Sequence, residues 1–390
     1  MISKTIMRRT MAFALLLIAA GCAPKKAAPA PSLKESLDGK FLIGVAINEK
    51  QIRHQDPKAD SLIYLHFNAI EPENCMKSEV IHPAKDTYDF ELSDKYVDYG
   101  TKNGIAVFGH CLIWHSQLAP WFPVDETGKD VSPEELKARM KEHIYTVMGR
   151  YKGRIKGWDV VNEAVMDDGS YRESPFYRIL GEEYIPLAFQ YAHEADPDAE
   201  LYYNDYGMHH RGRVDRVIQI VKDLKERGLR IDAVGFQGHI GMDYPDIATF
   251  EKSIEDVSAL GVDICITEWD MSILPTITSS ADLAEMSRMG KEGDKDAAKK
   301  AKALLDPYPD GIPQDVRDQW NNRCIDFWKM YLRHSDRIRR INIWGLTDAD
   351  SWKRGWPVQT RLDEPVLFDT GYNEKPATKW IIENAKTFTK

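Results

Sequence analysis

Eight short apolar runs, rich in β-branched and aromatic residues, recur along the chain with amphipathic stretches between them. They are Phe41–Ile47, Phe67–Ile70, Ile105–His110, Ile155–Val161, Glu200–Asn204, Ala233–Gln237, Asp263–Thr267 and Arg340–Leu346. A run without polar alternation reads as a strand covered on both faces, which is the condition of a parallel sheet. Between the runs, Glu134–Arg150, Arg213–Arg227 and Phe250–Leu260 carry apolar residues at helical spacing. Ser132-Pro133-Glu134-Glu135 offers an N-cap, a proline at the first helical position and acid in the first turn. Gly228 and Gly261 stand where helices should end. Eight alternating units in about 350 residues predict an α/β fold, a (β/α)8 TIM barrel. A doubly wound open sheet is the alternative, but it would carry a glycine-rich phosphate loop after an early strand, and the sequence has none. No shift in composition interrupts residues 37–390, so one domain is expected there. Within it, Ser279 to Pro313 is polar and charged, and reads as a solvated insertion after the seventh strand.

The N-terminus reads as a targeting segment. Lys4, Arg8 and Arg9 precede an unbroken apolar stretch from Met11 to Ala20, too short to span a bilayer and suited to a signal peptide. Ala19-Ala20-Gly21-Cys22 resembles a bacterial lipoprotein processing site. Residues 1–21 are therefore expected to be removed, Cys22 to be lipidated, and 22–36 to form an Ala/Pro/Lys-rich tether. The expected location is outside the cytoplasm, on a membrane facing the periplasm or the cell exterior. The other cysteines, Cys75, Cys111, Cys265 and Cys324, show no metal-ligand spacing; free thiols are the default reading, and a disulfide between Cys75 and Cys111, which follow neighbouring strands, stays an open alternative outside the cytoplasm. A net charge of −9 with no basic stripe argues against nucleic-acid binding.

Two of the strands carry the chemistry. Trp158-Asp159-Val160-Val161-Asn162-Glu163 and Asp263-Ile264-Cys265-Ile266-Thr267-Glu268 each run into a glutamate at the C-terminal end, where parallel α/β folds place their sites. A lone glutamate there is usually an ion-pair partner. Two of them, on the fourth and seventh strands and expected to face each other across the barrel mouth, suit glycosidic cleavage. That reaction needs one carboxylic acid to protonate the leaving oxygen and a second carboxylate on the opposite face. Asn162 is placed to donate to a sugar 2-hydroxyl. Other strand ends bring Glu73, Asn74 and Lys77, then His110, Trp114 and Gln117, then Gln237 and His239, then Trp344 and Trp352. Indoles offer flat apolar faces to pyranose rings, and the amides and charges read hydroxyls.

The blocks FNAIEPENCMK, GHCLIWHSQ, WDVVNEA, GFQGHI, ITEWD and IWGLTDADSW resemble, in order, the signature blocks of the family 10 glycoside hydrolases, chiefly endo-β-1,4-xylanases. The resemblance covers roughly residues 38–388 and implies a single (β/α)8 catalytic domain that retains anomeric configuration. It implies Glu163 as general acid/base, Glu268 as nucleophile, and Asp270 as the partner of His239. It also implies sugar contacts from Glu73, Asn74, Lys77, His110, Trp114, Gln117, Asn162, Asn204, Tyr206, Gln237, His239, Trp344 and Trp352. Two departures stand out: Trp269 replaces an aliphatic residue and Cys111 a hydroxyl residue. Xylan and xylo-oligosaccharides are the implied substrates of a monomer that needs no metal or cofactor. A β-1,4-glucanase or mixed-specificity hydrolase of the same fold is the nearest alternative. A non-catalytic glycan-binding lipoprotein is another, and retention of both glutamates argues against it.

Overall fold

A computed structural model describes residues 31–275, 305–356 and 359–389. The signal segment, Cys22 and the insertion as far as residue 304 lie outside the described residues. The folded body begins earlier than the tether boundary at 36 implies. Ser32 caps a short helix, Leu33–Ser36, through a capping box with Glu35; Leu33 is fully buried and Ser36 Oγ donates to the Ile382 carbonyl at 2.7 Å. These residues close the bottom of the body against the C-terminal helix, Pro376–Asn384.

Among the described residues nine strands form, all paired in parallel: β1 (Leu42–Ile47), β2 (Ala69–Pro72), β3 (Ala106–Gly109), β4 (Gly157–Asn162), β5 (Glu200–Asp205), β6 (Ala233–Phe236), β7 (His239–Gly241), β8 (Asp263–Ser272) and β9 (Ile338–Ile343). β1 pairs with both β2 and β9, and β6 pairs with β8, so eight strands close into a barrel and β7 is extra. Each expected apolar run became a barrel strand. The seventh is longer than expected, ten residues, because short β7 pairs with its upper half through His239↔Asp270 and Gly241↔Ser272. Glu268 is thus inside a strand and not at its end. The two glutamate strands are also not opposite: β4 and β8 are bridged by β5 and β6.

The expected helices form with small shifts at their ends. Ser132 accepts from the Glu135 amide at 3.2 Å at the start of the helix Pro133–Tyr151, and Gly228 and Gly261 adopt left-handed φ of 71° and 73° beyond their helices. Most apolar side chains lie between barrel and helices. A smaller cluster, with Ala69, Phe108, Tyr202, Ala233 and Cys265, plugs the barrel interior. Two strand glycines exist for reasons of space: a Cβ on Gly44 would overlap the Asn342 amide, and one on Gly235 the Asn204 amide. The four cysteines are free and buried. Among the described residues no helix is long and apolar enough to cross a membrane.

Trp269 points away from the mouth, between its inward neighbours Glu268 and Asp270. Fully buried, it packs edge-on against Trp328 at 6.2 Å and Trp320 at 6.4 Å, both on the helix Gln314–Arg333. Its backbone carbonyl accepts from Trp344 at 2.9 Å. Replacing Trp269 by alanine should lower unfolding free energy by about 3–5 kcal/mol through transfer loss and the cavity left. A denaturant midpoint unchanged in Trp269→Ala would show that this packing does not hold β8.

Candidate active site

At the mouth, β4, β5, β6 and β8 present an unbroken set of hydrogen bonds between the two glutamates. Gln237 Nε2 donates to Glu163 Oε1 at 3.0 Å and to Asn162 Oδ1 at 3.3 Å. Asn204 Nδ2 donates to the same Asn162 oxygen and to Glu268 Oε1, both at 3.0 Å. Thr267 Oγ1 fixes Asn204 from below at 2.6 Å. Asn204 is fully buried with both amide atoms engaged by protein, so it positions Glu268 and Asn162 and is not the sugar contact the resemblance implied. Asn162 Nδ2 has only a 3.5 Å contact to Glu163 and remains an available donor at the mouth.

Strand irregularities produce this convergence. Strict alternation would send Asp159 and Asn162 to opposite faces, yet both point inward. The β4–β5 register shifts between Asp159 and Val161. On β8 the register shifts between Ile266 and Trp269, and adjacent Thr267 and Glu268 both reach Asn204. Such bulges re-aim side chains at barrel rims. Glu163, the first residue beyond β4, takes φ 59°, a left-handed conformation costing a non-glycine residue about 1–3 kcal/mol.

Electrostatically, Glu268 is held as a carboxylate. Burial pushes its pKa up, but the His239 hydrogen bond at 3.2 Å and the charges of His110, His239 and Lys77 outweigh it, leaving the group below its ordinary value. His239 sits between two acids, its Nδ1 3.0 Å from Asp270 Oδ2. Burial disfavours its charge, yet Asp270 and Glu268 hold the imidazolium, with a pKa pushed up to about 9. Buried Asp270 also pairs with Lys353 at 2.7 Å and accepts from Trp352 Nε1 at 2.9 Å. Glu163 Oε2 accepts from Trp114 Nε1 at 2.9 Å.

Around this centre, Lys77 Nζ donates to Asn74 at 2.9 Å and Gln117 at 2.7 Å and lies 5.0 Å from the Trp114 ring. Glu73 follows β2 beside them, its pKa raised by burial against the pull of Lys77. His110 Nδ1 lies 2.9 Å from the accepting Asp159 Oδ2, and its ring meets Trp344 edge-on at 5.4 Å. Trp344 is nearly buried, whereas Trp352 is 38% exposed and forms an open wall over His239. Tyr206 joins differently: its hydroxyl accepts from Arg172 at 2.7 Å and its ring lies under Arg213 at 4.0 Å.

Several residues escaped the sequence reading. Trp356, 39% exposed, extends the indole wall 5.1 Å from Trp352. Glu71, Asp159, Arg340 and Asn342 form a buried charged layer beneath the mouth. Glu71, His110 and Asp159 bring one donor atom each within 4.8 Å of one another, a geometry that suits a metal ion. Arg340 already supplies the cation, 2.9 Å from Glu71 and 4.0 Å from Asp159, and Asn342 also bonds Glu71. Burial pushes the Glu71 carboxyl well above the usual range even against Arg340. The signal was present: Glu71, Asp159 and Arg340 are charges inside otherwise apolar strands.

The sequence matches the model of glycosyl hydrolase family 10 over residues 32–384. The chain belongs to family 10 of the glycosyl hydrolases. It is 43% identical over 355 residues to endo-1,4-beta-xylanase A of Xylanibacter ruminicola, covering 90% of this chain and 93% of that protein. It is 36% identical to a beta-1,4-xylanase of Dictyoglomus thermophilum, covering 90% and 91%. A family 10 endoxylanase from a sugarcane soil metagenome superposes with a TM-score of 0.82 at 37% identity, covering 91% and 99%. An intracellular xylanase of Thermoanaerobacterium saccharolyticum, with a TM-score of 0.75, 31% identity and 90% and 98% coverage, was solved with xylotriose and xylotetraose in alanine variants of two glutamates. Those two stand as far apart in sequence as Glu163 and Glu268.

Removal of the imidazolium tests the electrostatic role of His239 in this family 10 site. In His239→Asn, burial should dominate at Glu268 and raise its pKa, so the acid limb of kcat/KM should move to higher pH. An acid limb that stays in place or moves down would show that His239 does not hold Glu268 ionised.

Proposed function

We propose that the protein is a retaining endo-β-1,4-xylanase. The observation that carries this reading is the hydrogen-bonded bridge from Glu163 through Gln237, Asn162 and Asn204 to Glu268, which holds two carboxyls on one mouth in different surroundings. Glu268, kept ionised, attacks the anomeric carbon while Glu163 protonates the departing oxygen. The glycosyl ester then breaks as Glu163, now deprotonated, activates water. Asn162 Nδ2 is the donor for the 2-hydroxyl. Trp344 and Trp352 wall the sugar site, and Lys77, Asn74, Glu73 and Gln117 form the polar flank. Xylose lacks the hydroxymethyl group of glucose, and the nearly buried Trp344 and anchored Trp352 are the groups placed to fill the space it would need. Both carboxyls and the bridge come from one chain, so the site is complete without a second copy.

Retention requires the carboxyl groups to stand about 5–5.5 Å apart, whereas inversion needs roughly 6.5–9.5 Å to admit a water. Proton NMR of the first product released from xylan should show the β-anomer before mutarotation. Initial release of the α-anomer would refute the double displacement.

We also propose that the enzyme is exported and membrane-anchored through lipidated Cys22. The support is the basic residues Lys4, Arg8 and Arg9, the apolar stretch from Met11 to Ala20, and small residues directly before Cys22. One acyl chain binds membranes only marginally, so stable anchoring requires more than one. Cys22→Ser should move activity from the membrane fraction to the soluble one or leave an unprocessed chain. A wild-type product that is soluble and starts elsewhere would contradict the anchor.

A further inference from the structure

Glu163 is held by its backbone as well as by its carboxyl. Its amide donates to the Asn204 carbonyl at 2.9 Å, from the barrel wall. Its carbonyl accepts from Arg172 Nε, also at 2.9 Å. Between these two bonds the residue keeps the left-handed φ of 59°. The segment after it folds back: Val165 bridges Tyr171, Met166 N donates to Ser170 O at 2.8 Å, and Arg172 N donates to Ala164 O at 2.8 Å. Arg172 therefore grips the glutamate turn with both its main chain and its side chain. The far edge of its guanidinium is fixed in turn by the Tyr206 hydroxyl at 2.7 Å. Tyr206 is fixed by Arg213, which covers its ring at 4.0 Å and donates to the Tyr206 carbonyl at 2.8 Å and the Val165 carbonyl at 3.1 Å.

We propose that Arg172 is a positioning residue for proton transfer by Glu163, with Tyr206 as its support. A left-handed non-glycine residue persists only where its surroundings over-determine it. Two backbone bonds and a planar fork do so here. Without the guanidinium the peptide after Glu163 is free to rotate toward ordinary φ, carrying the carboxyl away from Gln237 and Trp114. The ionised nucleophile, held on β8 by Asn204 and His239, is untouched by that rotation. The loss should fall on steps in which Glu163 moves a proton and spare steps that need none. This inference rests on Glu163 being the acid/base.

The test compares wild type, Arg172→Met, Tyr206→Phe, Glu163→Ala and the double variant Glu163→Ala/Arg172→Met. The substrates are xylohexaose, whose leaving group needs protonation, and 2,4-dinitrophenyl xylobioside, whose leaving group does not. Arg172→Met should lower kcat on xylohexaose by about 100-fold, the scale of an ångström's misplacement, with KM nearly unchanged. Its kcat/KM on the aryl substrate should stay within about threefold of wild type, because that ratio reports the first, acid-independent step. Tyr206→Phe, which removes one hydroxyl and keeps the ring under Arg213, should show the same selectivity at about 3- to 10-fold. In the Glu163→Ala background, Arg172→Met should cost nothing further on the aryl substrate. An equal loss on both substrates, or a second loss in the Glu163→Ala background, would overturn the positioning role. Should Arg172→Met fail to fold, Tyr206→Phe carries the comparison alone, and equal loss on both substrates in it would overturn the inference. Failure of the underlying reading looks different: Glu163→Ala alone would then lose aryl kcat/KM along with xylohexaose activity.

Discussion

The amide of Asn204 is the contact on which the site depends. It lies fully buried on β5 and its Nδ2 serves two oxygens, one on Asn162 and one on Glu268. The fourth and seventh barrel strands are thereby tied together across the two strands between them. Thr267 fixes the orientation of the amide, and β6 makes room for it by carrying glycine at Gly235. A buried amide with a lost partner is costly, so each strand holds the others in register. The bridge sets the spacing of the two carboxyls before any sugar arrives, which is the preorganisation that acid and nucleophile require.

Below the bridge lies a second constraint. Charged groups in a barrel core are expensive unless paired. Arg340 answers Glu71 and Asp159, its guanidinium 3.8 Å from the Phe108 ring centroid. Asp159 holds His110, and His110 stands against Trp344 in the wall of the mouth. On the opposite side Asp270 gathers His239, Lys353 and Trp352. One buried carboxylate thus fixes both the charge beside Glu268 and the indole that covers it. Rigidity under the mouth permits Glu163 to keep its left-handed conformation.

Much of this was legible in the sequence because β-barrel physics leaves coarse marks. Apolar runs announced the eight strands, and two of them running into glutamate announced the site. Local irregularity was not legible. The bulges that turn both Asp159 and Asn162 inward, and both Thr267 and Glu268 toward Asn204, break the period of two from which facing is read. Short β7 was hidden for the same reason: three residues leave no pattern, and its pairing extends β8 past Glu268. The resemblance alone implied Asn204 as a sugar contact; an amide at a strand end suits either role, and its burial is what separates them. Arg172 and Lys353 act through contacts that close in three dimensions, and their types alone carry no signal. The buried charges were readable in principle, since Glu71, Asp159 and Arg340 interrupt apolar strands and have complementary signs.

Glu268 is proposed as the nucleophile, kept ionised by His239 and aimed by Asn204. The most direct measurement uses the 2,4-dinitrophenyl glycoside of 2-deoxy-2-fluoroxylobiose and peptide mapping by mass spectrometry. Fluorine slows both chemical steps while the good leaving group restores the first, so the glycosyl ester accumulates. The expected result is one fluoroxylobiosyl group per chain, on Glu268, and none in Glu268→Ala. An ester on Glu163 or any other residue, or no adduct on protein that still turns over xylan, would contradict the claim.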